Sequence, residues 1–102
     1  MVSFIVRLRF TPEDRAEMAE TVRLLAEASR NEPGCVSYIP FALEDDPDTL
    51  LIFEQYADAQ ALEFHRASTH FQQYAIGGLY QRMKERSVEN LRSIDSRAPL
   101  NL

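Results

Sequence analysis

The chain has 102 residues, of which 45% are hydrophobic and 26% charged, and its formal net charge is −5. This length allows one domain with one core, and the acidic balance speaks against nucleic acid and anionic membrane surfaces, which need clustered cations. No apolar run approaches the roughly 20 residues of a membrane span, and the N-terminal stretch lacks the apolar segment of a signal peptide. We therefore expect a cytoplasmic protein that binds neither nucleic acid nor membrane.

The single cysteine, Cys35, has no partner for a disulfide within the chain. A free thiol fits a reducing compartment. No basic residue flanks it in the sequence to stabilise a thiolate. We expect a buried and unreactive side chain.

The first third of the chain predicts a strand and a helix. Residues 2–10, VSFIVRLRF, place apolar side chains on one face at a period of two, which is typical of a strand. Thr11 and Pro12 suit the N-cap and the first position of a helix. An apolar stripe at helical spacing continues that helix to about Asn31, and NEPG at 31–34 ends it.

Residues 35–43 and 49–56 predict the second and third strands. The short connection over 44–48 makes their pairing antiparallel. Pro40 removes a backbone donor, so the second strand should lie at a sheet edge or contain a bulge. The connection holds four carboxylates, but their spacing fits no calcium loop.

A helical region with a break in it follows. Asp58 suits the cap of a short helix over 59–66. Thr69 suits the cap of a second helix over 70–84, with Gln72 reaching back as in a capping box. The chain therefore predicts two consecutive short helices.

The end of the chain predicts one more strand. Gly77 and Gly78 weaken the second helix and indicate a kink or close packing there. Residues 86–94 alternate as a last strand. We expect one domain over residues 1–95 and a tail over 96–102 that forms an arm or a disordered end.

This order, β-α-β-β-α-β with a split second helix, predicts a ferredoxin-like α+β fold. Its four-stranded antiparallel sheet carries the helices on one face. The third strand is apolar on both faces, with Leu50 and Ile52 opposite Leu51 and Phe53. A solvated sheet face is normally polar, and exposed apolar patches of this kind mark interfaces. We therefore expect a homodimer in which two sheets pack face to face about a two-fold axis.

His65 and His70 are the only histidines in the chain. Their separation of five does not place them on one helix face, where metal ligands recur at three or four. A break between the helices could bring them together, but no cysteine or cluster of carboxylates accompanies them, so we expect no metal. His65 should point partly inward, as a general base or a donor to a phenol or quinone. The alternative for both histidines is a local structural contact.

Glu54 is a carboxylate on an otherwise apolar strand face. We favour an ion pair with Arg7 or Arg9 over a position inside a cavity. Aromatic residues of the same region suit the wall of a cavity, although each also suits an ordinary core: Tyr38, Tyr74, Tyr80, Phe64 and Phe71. The chain contains no P-loop, dinucleotide fingerprint or nucleophile motif of acyl transfer.

Several short motifs follow one another in a fixed order. They are EPGC at 32–35, Asp46-Pro47, LLIFEQY at 50–56, and the spaced series Asp58, Ala61, Leu62, His65, Ser68, His70 and Phe71. Together they resemble the antibiotic biosynthesis monooxygenase domain family over about residues 3–94. The resemblance implies a ferredoxin-like protomer and a dimeric α+β barrel with facing sheets.

The resemblance also implies an activity. Members of the quinol-oxidising branch oxidise phenols or quinols with O2, without metal or flavin, because the bound substrate itself activates O2. His65 and His70 match histidines common in that branch and in an isomerase branch. On this basis we expect His65 to be catalytic and to accept a phenolic proton. The expected substrate contacts are Tyr56, Glu54, Tyr74, His70 and Phe71.

Haem degradation, another activity in this family, is disfavoured. Haem-degrading members use Asn, Trp and His, where this chain has Val6, Tyr56 and Ala75. Two alternatives to oxygenation stay open: an isomerase in which His65 moves a proton on a hydroxy-ketone, and a non-enzymatic dimeric binding or stress-associated module. A phosphorylated substrate would need convergent cations, and those expected nearby are Arg7, Arg9 and Arg66.

Overall fold

The predicted strands and helices all form in the computed structural model, which describes residues 1–95. In chain order the elements are β1 Val2–Arg9, α1 Arg15–Ser29, β2 Cys35–Ala42, β3 Thr49–Tyr56, α2 Ala59–Ala67, a π-helix Phe71–Leu79, α3 Tyr80–Arg82 and β4 Glu85–Leu91. The ferredoxin-like α+β fold with its split second helical region is confirmed. The predicted tail, 96–102, lies outside the described residues.

The four strands form one antiparallel sheet in the order β2-β3-β1-β4. β2 is an edge strand, which accommodates Pro40 as predicted, and its register shifts between Cys35 and Ser37. β1 pairs with both β3 and β4. β1 therefore lies between β3 and β4, and the first and last strands of the chain are neighbours in the sheet.

The core lies between one sheet face and the helices. The two central strands, β1 and β3, bury every second residue towards the helices, as their period of two predicts, whereas every residue of β4 is exposed. The buried residues of β1 and β3 include Phe4, Val6, Leu8, Leu50 and Ile52. The helix α1 adds the buried side chains of its apolar stripe, Met18, Val22, Leu25 and Ala26.

The helix starts differ from the expectation in two places. α1 begins at Arg15 instead of Pro12, because Thr11 closes a turn first: its carbonyl accepts from Arg15 N at 3.1 Å and its hydroxyl from Asp14 N at 3.3 Å. The predicted cap at Thr69 is also wrong. The hydroxyl of Ser68 accepts from Phe71 N at 3.1 Å instead.

Two other local predictions are confirmed. The Asp58 carboxylate accepts a hydrogen bond from Ala61 N at 2.8 Å and caps α2. Gly78 packs closely against α1, since a Cβ there would lie 3.2 Å from Thr21 Cγ2. The helix over these glycines is a π-helix, a form that is frequent at functional sites.

The second sheet face carries no helix and is partly apolar. Ile39, Phe41 and Leu91 on this face are 41%, 50% and 41% exposed. Its partly buried apolar residues are Ile5, Leu51 and Phe53. No helix in the described part of the chain is long and apolar enough to cross a bilayer.

Candidate functional site

The site forms where α2 lies against the turn between α1 and β2. Gly34 allows this approach, because a Cβ on it would lie 2.2 Å from the Cβ of Ala61. In the same turn Cys35 N donates to the Glu32 carbonyl at 3.2 Å. His65 follows Ala61 by one helical turn and shares its face. The missing side chain at Gly34 therefore lets His65 reach Glu32.

His65 is held between two buried carboxylates. Its Nδ1 lies 2.8 Å from Glu32 Oε2, and its Nε2 lies 3.8 Å from Glu54 Oε1. The exposed fractions of Glu32, Glu54 and His65 are 7%, 5% and 2%. Because a carboxylate only accepts hydrogen bonds, Nδ1 of His65 carries the hydrogen that Glu32 binds. In the neutral imidazole the lone pair is then on Nε2.

His70 contacts the same carboxylate oxygen of Glu32 through its Nε2. Ser68 fixes the turn between α2 and the π-helix, because its hydroxyl donates to the His65 carbonyl at 2.7 Å. The rings of His65 and His70 come within 6.1 Å, centroid to centroid. The break after α2 therefore brings the two histidines together at one carboxylate oxygen. The carboxylate that joins them lies more than thirty residues upstream.

Glu54 lies on the helix side of β3, where the Tyr56 hydroxyl donates to its Oε1 at 2.5 Å. The predicted ion pair with Arg7 or Arg9 is wrong. Both arginines lie on the opposite sheet face and bind carboxylates of β4 at 2.7 and 3.0 Å. The cavity position, the other interpretation of Glu54, is the one observed.

Burial sets the ionisation of these groups. Burial raises the pKa of Glu54 to about 7; the Tyr56 hydrogen bond opposes this rise and the charge of Glu32 adds to it. Burial lowers the pKa of His65, against the hydrogen bond and charge of Glu32. The His65 imidazole is therefore neutral at pH 7. Burial and the Glu54 carboxylate raise the pKa of Tyr56 and Tyr38, which stay protonated.

A cavity of about 50 Å³ opens beside His65 and Glu54, between the sheet, α2 and the π-helix. This space suits about three to five water molecules. Besides His65, its aromatic and cationic lining residues are Phe4, Tyr38, Phe71, Tyr80, Arg66 and Arg86. The Phe71 ring meets the His65 ring edge-on at 5.2 Å. The cavity thus combines a neutral imidazole, a carboxyl group with a raised pKa and two guanidinium groups.

The residues expected at the site separate into three groups. His65, Glu54 and Phe71 line the cavity. Tyr56 and His70 are not among the lining residues, but they contact the carboxylates of Glu54 and Glu32, respectively. Tyr74 is a partly buried neighbour of the core and is not among the lining residues, and Phe64 is 56% exposed on the surface.

Sequence reasoning missed Glu32 and Arg86. Glu32 stands in the EPGC motif, which was the available signal, although nothing local relates it to His65. Arg86 lies opposite Leu8, which faces the helices, so the strand register indicates its side. Its guanidinium carbon lies 5.5 Å from the centre of the Tyr80 ring, within cation–π range.

Cys35 is partly buried and not fully buried as expected, but its surroundings favour the expected unreactive thiol. Burial, with Glu32 and Glu54 nearby, raises its pKa to about 11. Its Sγ lies 3.7 Å from the Ser37 carbonyl oxygen. The thiolate form is therefore disfavoured at neutral pH.

Three named proteins are similar to this chain in sequence. "Putative monooxygenase Rv0793" of Mycobacterium tuberculosis is 32% identical over 73 residues, which are 72% of this chain and 71% of that protein. "Putative monooxygenase YcnE" of Bacillus subtilis is 28% identical over 78 residues, 76% of this chain and 82% of that protein. A match to protein sll1783 of Synechocystis, 28% identical, covers 66% of this chain but only 46% of the relative.

Solved structures agree in fold over nearly the whole chain. A crystal structure titled as an antibiotic biosynthesis monooxygenase has a TM-score of 0.84 at 25% identity and covers 92% of this chain and 99% of its own. The structure of Rv0793 from M. tuberculosis has a TM-score of 0.83 at 26% identity, with coverages of 95% and 98%. The family model described as antibiotic biosynthesis monooxygenase matches residues 1–75. The chain therefore belongs to the antibiotic biosynthesis monooxygenase family.

Proposed function

We propose that this protein is a monooxygenase that oxidises a small phenol or quinol with O2, without a metal or flavin cofactor. Family membership and relatives named as monooxygenases support the general activity. The observation on which the proposal rests is the His65 imidazole. Its Nδ1 is held by buried Glu32, and its Nε2 faces a cavity that a second carboxyl group lines.

In this proposal His65 is the general base. The lone pair on Nε2 takes the phenolic proton, and the resulting imidazolium keeps its Nδ1–H bond to Glu32. A buried carboxylate behind an imidazole fixes the tautomer and stabilises the charge that forms, as in catalytic triads. General base catalysis of this kind contributes about 10²–10⁴ in rate.

Oxidation then follows without a further reductant. The phenolate transfers one electron to O2, and the phenoxyl radical and superoxide combine through a new bond between a ring carbon and oxygen. Loss of the proton on that carbon and cleavage of the O–O bond give a quinone and hydroxide, which takes up a proton as water. The substrate loses four electrons and O2 gains four, so phenol and O2 yield quinone and water.

The size of the cavity bears on how such a substrate enters. Pockets for small organic ligands usually measure about 300–1,000 Å³, whereas this cavity measures about 50 Å³. In our proposal an aromatic ring enters when lining side chains move. Arg86 on the exposed strand β4 is the natural candidate, because its neighbours on that strand are exposed.

The proposal includes a homodimer through the open sheet face. The exposed Ile39, Phe41 and Leu91 on this face support it, since contiguous apolar surface marks interfaces. The ion pairs of Arg7 and Arg9 with β4 neutralise charge on the same face. A second copy is the occupant because an identical apolar face is complementary to itself about a two-fold axis.

A second candidate function is isomerisation of a small anionic hydroxy-ketone. The observation that favours it is the pair of guanidinium groups, Arg66 and Arg86, at the cavity that His65 lines. Such groups bind phosphate or carboxylate. In this alternative His65 would move a proton between neighbouring carbons, and no O2 would be consumed.

The decisive experiment is O2 uptake with a panel of phenols and quinols in the presence of a chelator. We expect at least one substrate to consume O2 in an amount equal to the substrate oxidised. His65→Gln should lower the rate of O2 uptake at least about a hundredfold. Phe64→Ala, an exposed site on the same helix, is the matched control and should keep the rate. Absence of uptake across the panel, or equal rates in His65→Gln, would overturn the proposal.

A further inference from the structure

Glu32, His65 and His70 bring three potential metal ligands to one point. Glu32 Oε2, His65 Nδ1 and His70 Nε2 are the atoms that approach one another. One donor atom from each residue lies within 4.8 Å of the others. Glu32 comes from the turn after α1, whereas the two histidines lie on either side of the break after α2. The cluster therefore unites two segments that are distant in sequence.

Glu32 is a buried carboxylate that a nearby positive charge would stabilise. Its side chain is 3% exposed, and the side chains that contact its carboxylate in residues 1–95 are the two histidines, without Lys or Arg. Its second oxygen, Oε1, has no hydrogen-bond partner among the described residues. Buried carboxylates are normally paired with a cation or bound to a metal. Glu32 thus has one oxygen without a hydrogen bond and two imidazole nitrogens beside the other oxygen. This arrangement suits a metal ligand.

We infer that Glu32, His65 and His70 form a binding site for a divalent transition-metal ion. Two imidazole nitrogens and one carboxylate oxygen are the ligand set of many Zn²⁺ sites and of Fe²⁺ sites with open positions. Mg²⁺ and Ca²⁺ prefer oxygen ligands throughout. Three protein ligands leave at least one coordination position for water.

The residues behind His65 fit this role. An imidazole that binds metal through Nδ1 carries its hydrogen on Nε2, and that nitrogen lies 3.8 Å from Glu54 Oε1. Metal-binding histidines typically donate their other N–H to a carboxylate. Glu54 is in turn fixed by the Tyr56 hydroxyl at 2.5 Å. The chain thus supplies the carboxylate that accepts the Nε2 hydrogen of His65, as well as the three metal ligands.

The metal site and the cavity lie on opposite edges of the His65 ring. His65 and Glu54 line the cavity, whereas Glu32 and His70 are not among its lining residues. Metal binding at Nδ1 moves the hydrogen to Nε2 and removes the lone pair that a base needs. On the proposed function, a bound metal therefore inhibits turnover. Metal binding itself does not depend on that function and is measured without substrate.

The test uses the full chain without an affinity tag, stripped with a chelator and dialysed. Co²⁺ is titrated and followed by its visible absorption, and Zn²⁺ is then added as a competitor. We expect one equivalent of Co²⁺ per chain, displaced by Zn²⁺, and no competition from Mg²⁺ or Ca²⁺. Glu32→Gln and His70→Gln should each weaken Co²⁺ binding at least about a hundredfold. Glu54→Gln should weaken it about ten- to a hundredfold.

Two control variants exclude binding elsewhere. Glu27→Gln removes an exposed carboxylate of α1 and Cys35→Ser removes the only thiol, and both should bind Co²⁺ as the natural chain does. His70 is partly exposed, so His70→Gln tests the site even if Glu32→Gln fails to fold, as judged by circular dichroism. Lack of stoichiometric Co²⁺ binding, or unchanged affinity in His70→Gln, would overturn the inference.

If the metal site is present and the O2 experiment is negative, the proposed function alone fails. If O2 uptake depends on His65 but Co²⁺ does not bind, the metal site alone fails. The two results are therefore separable.

Discussion

His65 Nδ1 lies 2.8 Å from Glu32 Oε2, although 33 positions separate the two residues in the chain. Both side chains are buried. This contact orients the imidazole, fixes its neutral tautomer and turns its Nε2 towards the cavity.

Glu32→Gln removes the charge that raises the pKa of His65 and replaces the carboxylate with an amide oxygen, which is a weaker acceptor. We expect the His65 pKa to fall further below its ordinary value of about 6.5. Imidazole resonances in nuclear magnetic resonance spectra measure this in chelator-treated protein. The chain has two histidines, so His70→Gln assigns the spectrum.

The same spectra report the tautomer of His65 through its nitrogen shifts. We expect the hydrogen on Nδ1 in the natural chain. Glu27→Gln, at an exposed position on α1, should leave the nitrogen shifts and the pKa of His65 unchanged. A hydrogen on Nε2 in metal-free protein, or a His65 pKa that rises in Glu32→Gln, would contradict the account.

Glu54 should make stability depend on pH. Burial raises its pKa from 4.5 to about 7, so the folded state holds a proton that the unfolded state releases. This contribution is fully present below about pH 4.5 and is lost as the pH rises through about 7. The loss is about 3 kcal/mol.

Glu54→Gln removes this titration and should be more stable than the natural chain at pH 8, with no such gain at pH 4. Urea unfolding of both metal-free proteins from pH 4 to 8 measures the difference. The other titratable groups that act on Glu54 are common to both proteins, namely Tyr56, Glu32, Arg66 and Arg86. Parallel stability curves for the two proteins would show that Glu54 has no raised pKa.

Gly34→Ala should move α2 away from the turn that holds Glu32. The added Cβ would lie 2.2 Å from the Ala61 Cβ, and such overpacking costs about 1–3 kcal/mol in the free energy of unfolding. The single variant should also weaken Co²⁺ binding, because α2 carries His65. Urea unfolding and the Co²⁺ titration measure the two effects.

A second substitution provides the control. Ala61→Gly removes the opposing Cβ, so the double variant should be more stable than the sum of the two single changes predicts, by about 1 kcal/mol or more. Strictly additive effects would mean that the two residues do not touch in solution.

The sequence was sufficient for the fold because the alternation of buried residues on β1 and β3 is a local property. The sequence did not decide the position of Glu54. Its two interpretations, an ion pair with Arg7 or Arg9 and a place in a cavity, differ in the strand register that they require. Glu54 pairs opposite Phe4, whereas Arg7 pairs opposite Leu51. Residues directly opposite in an antiparallel pair share a face, so this register places Glu54 with the core.

The site was predictable only in part for a different reason. His65 was identified through its position in the family motifs and its place on α2. Glu32 meets it because Gly34 lacks a side chain that would otherwise separate α2 from the turn. Such a tertiary contact has no periodicity, so the sequence showed the glycine and the glutamate without relating them.

The open sheet face should hold the dimer together. We expect a sedimentation mass of about twice the chain mass of 11.7 kDa. Phe41→Glu introduces a charge on this face, where Phe41 is 50% exposed in the single chain, and should yield monomer. Phe64→Glu, at a Phe that is 56% exposed on α2, is the matched control and should stay dimeric. A mass of one chain for the natural protein would refute the dimer.

The role of His65 as proton acceptor is tested most directly by the pH dependence of O2 uptake by the metal-free protein. The phenol used is one that turns over in the O2 experiment. Because an imidazole acts as a base only in its neutral form, the account predicts that the rate of the natural chain falls as the pH drops through the lowered pKa of His65. The residual rate of His65→Gln should lack this fall, and an equal pH dependence of the rate in the two proteins would contradict the account.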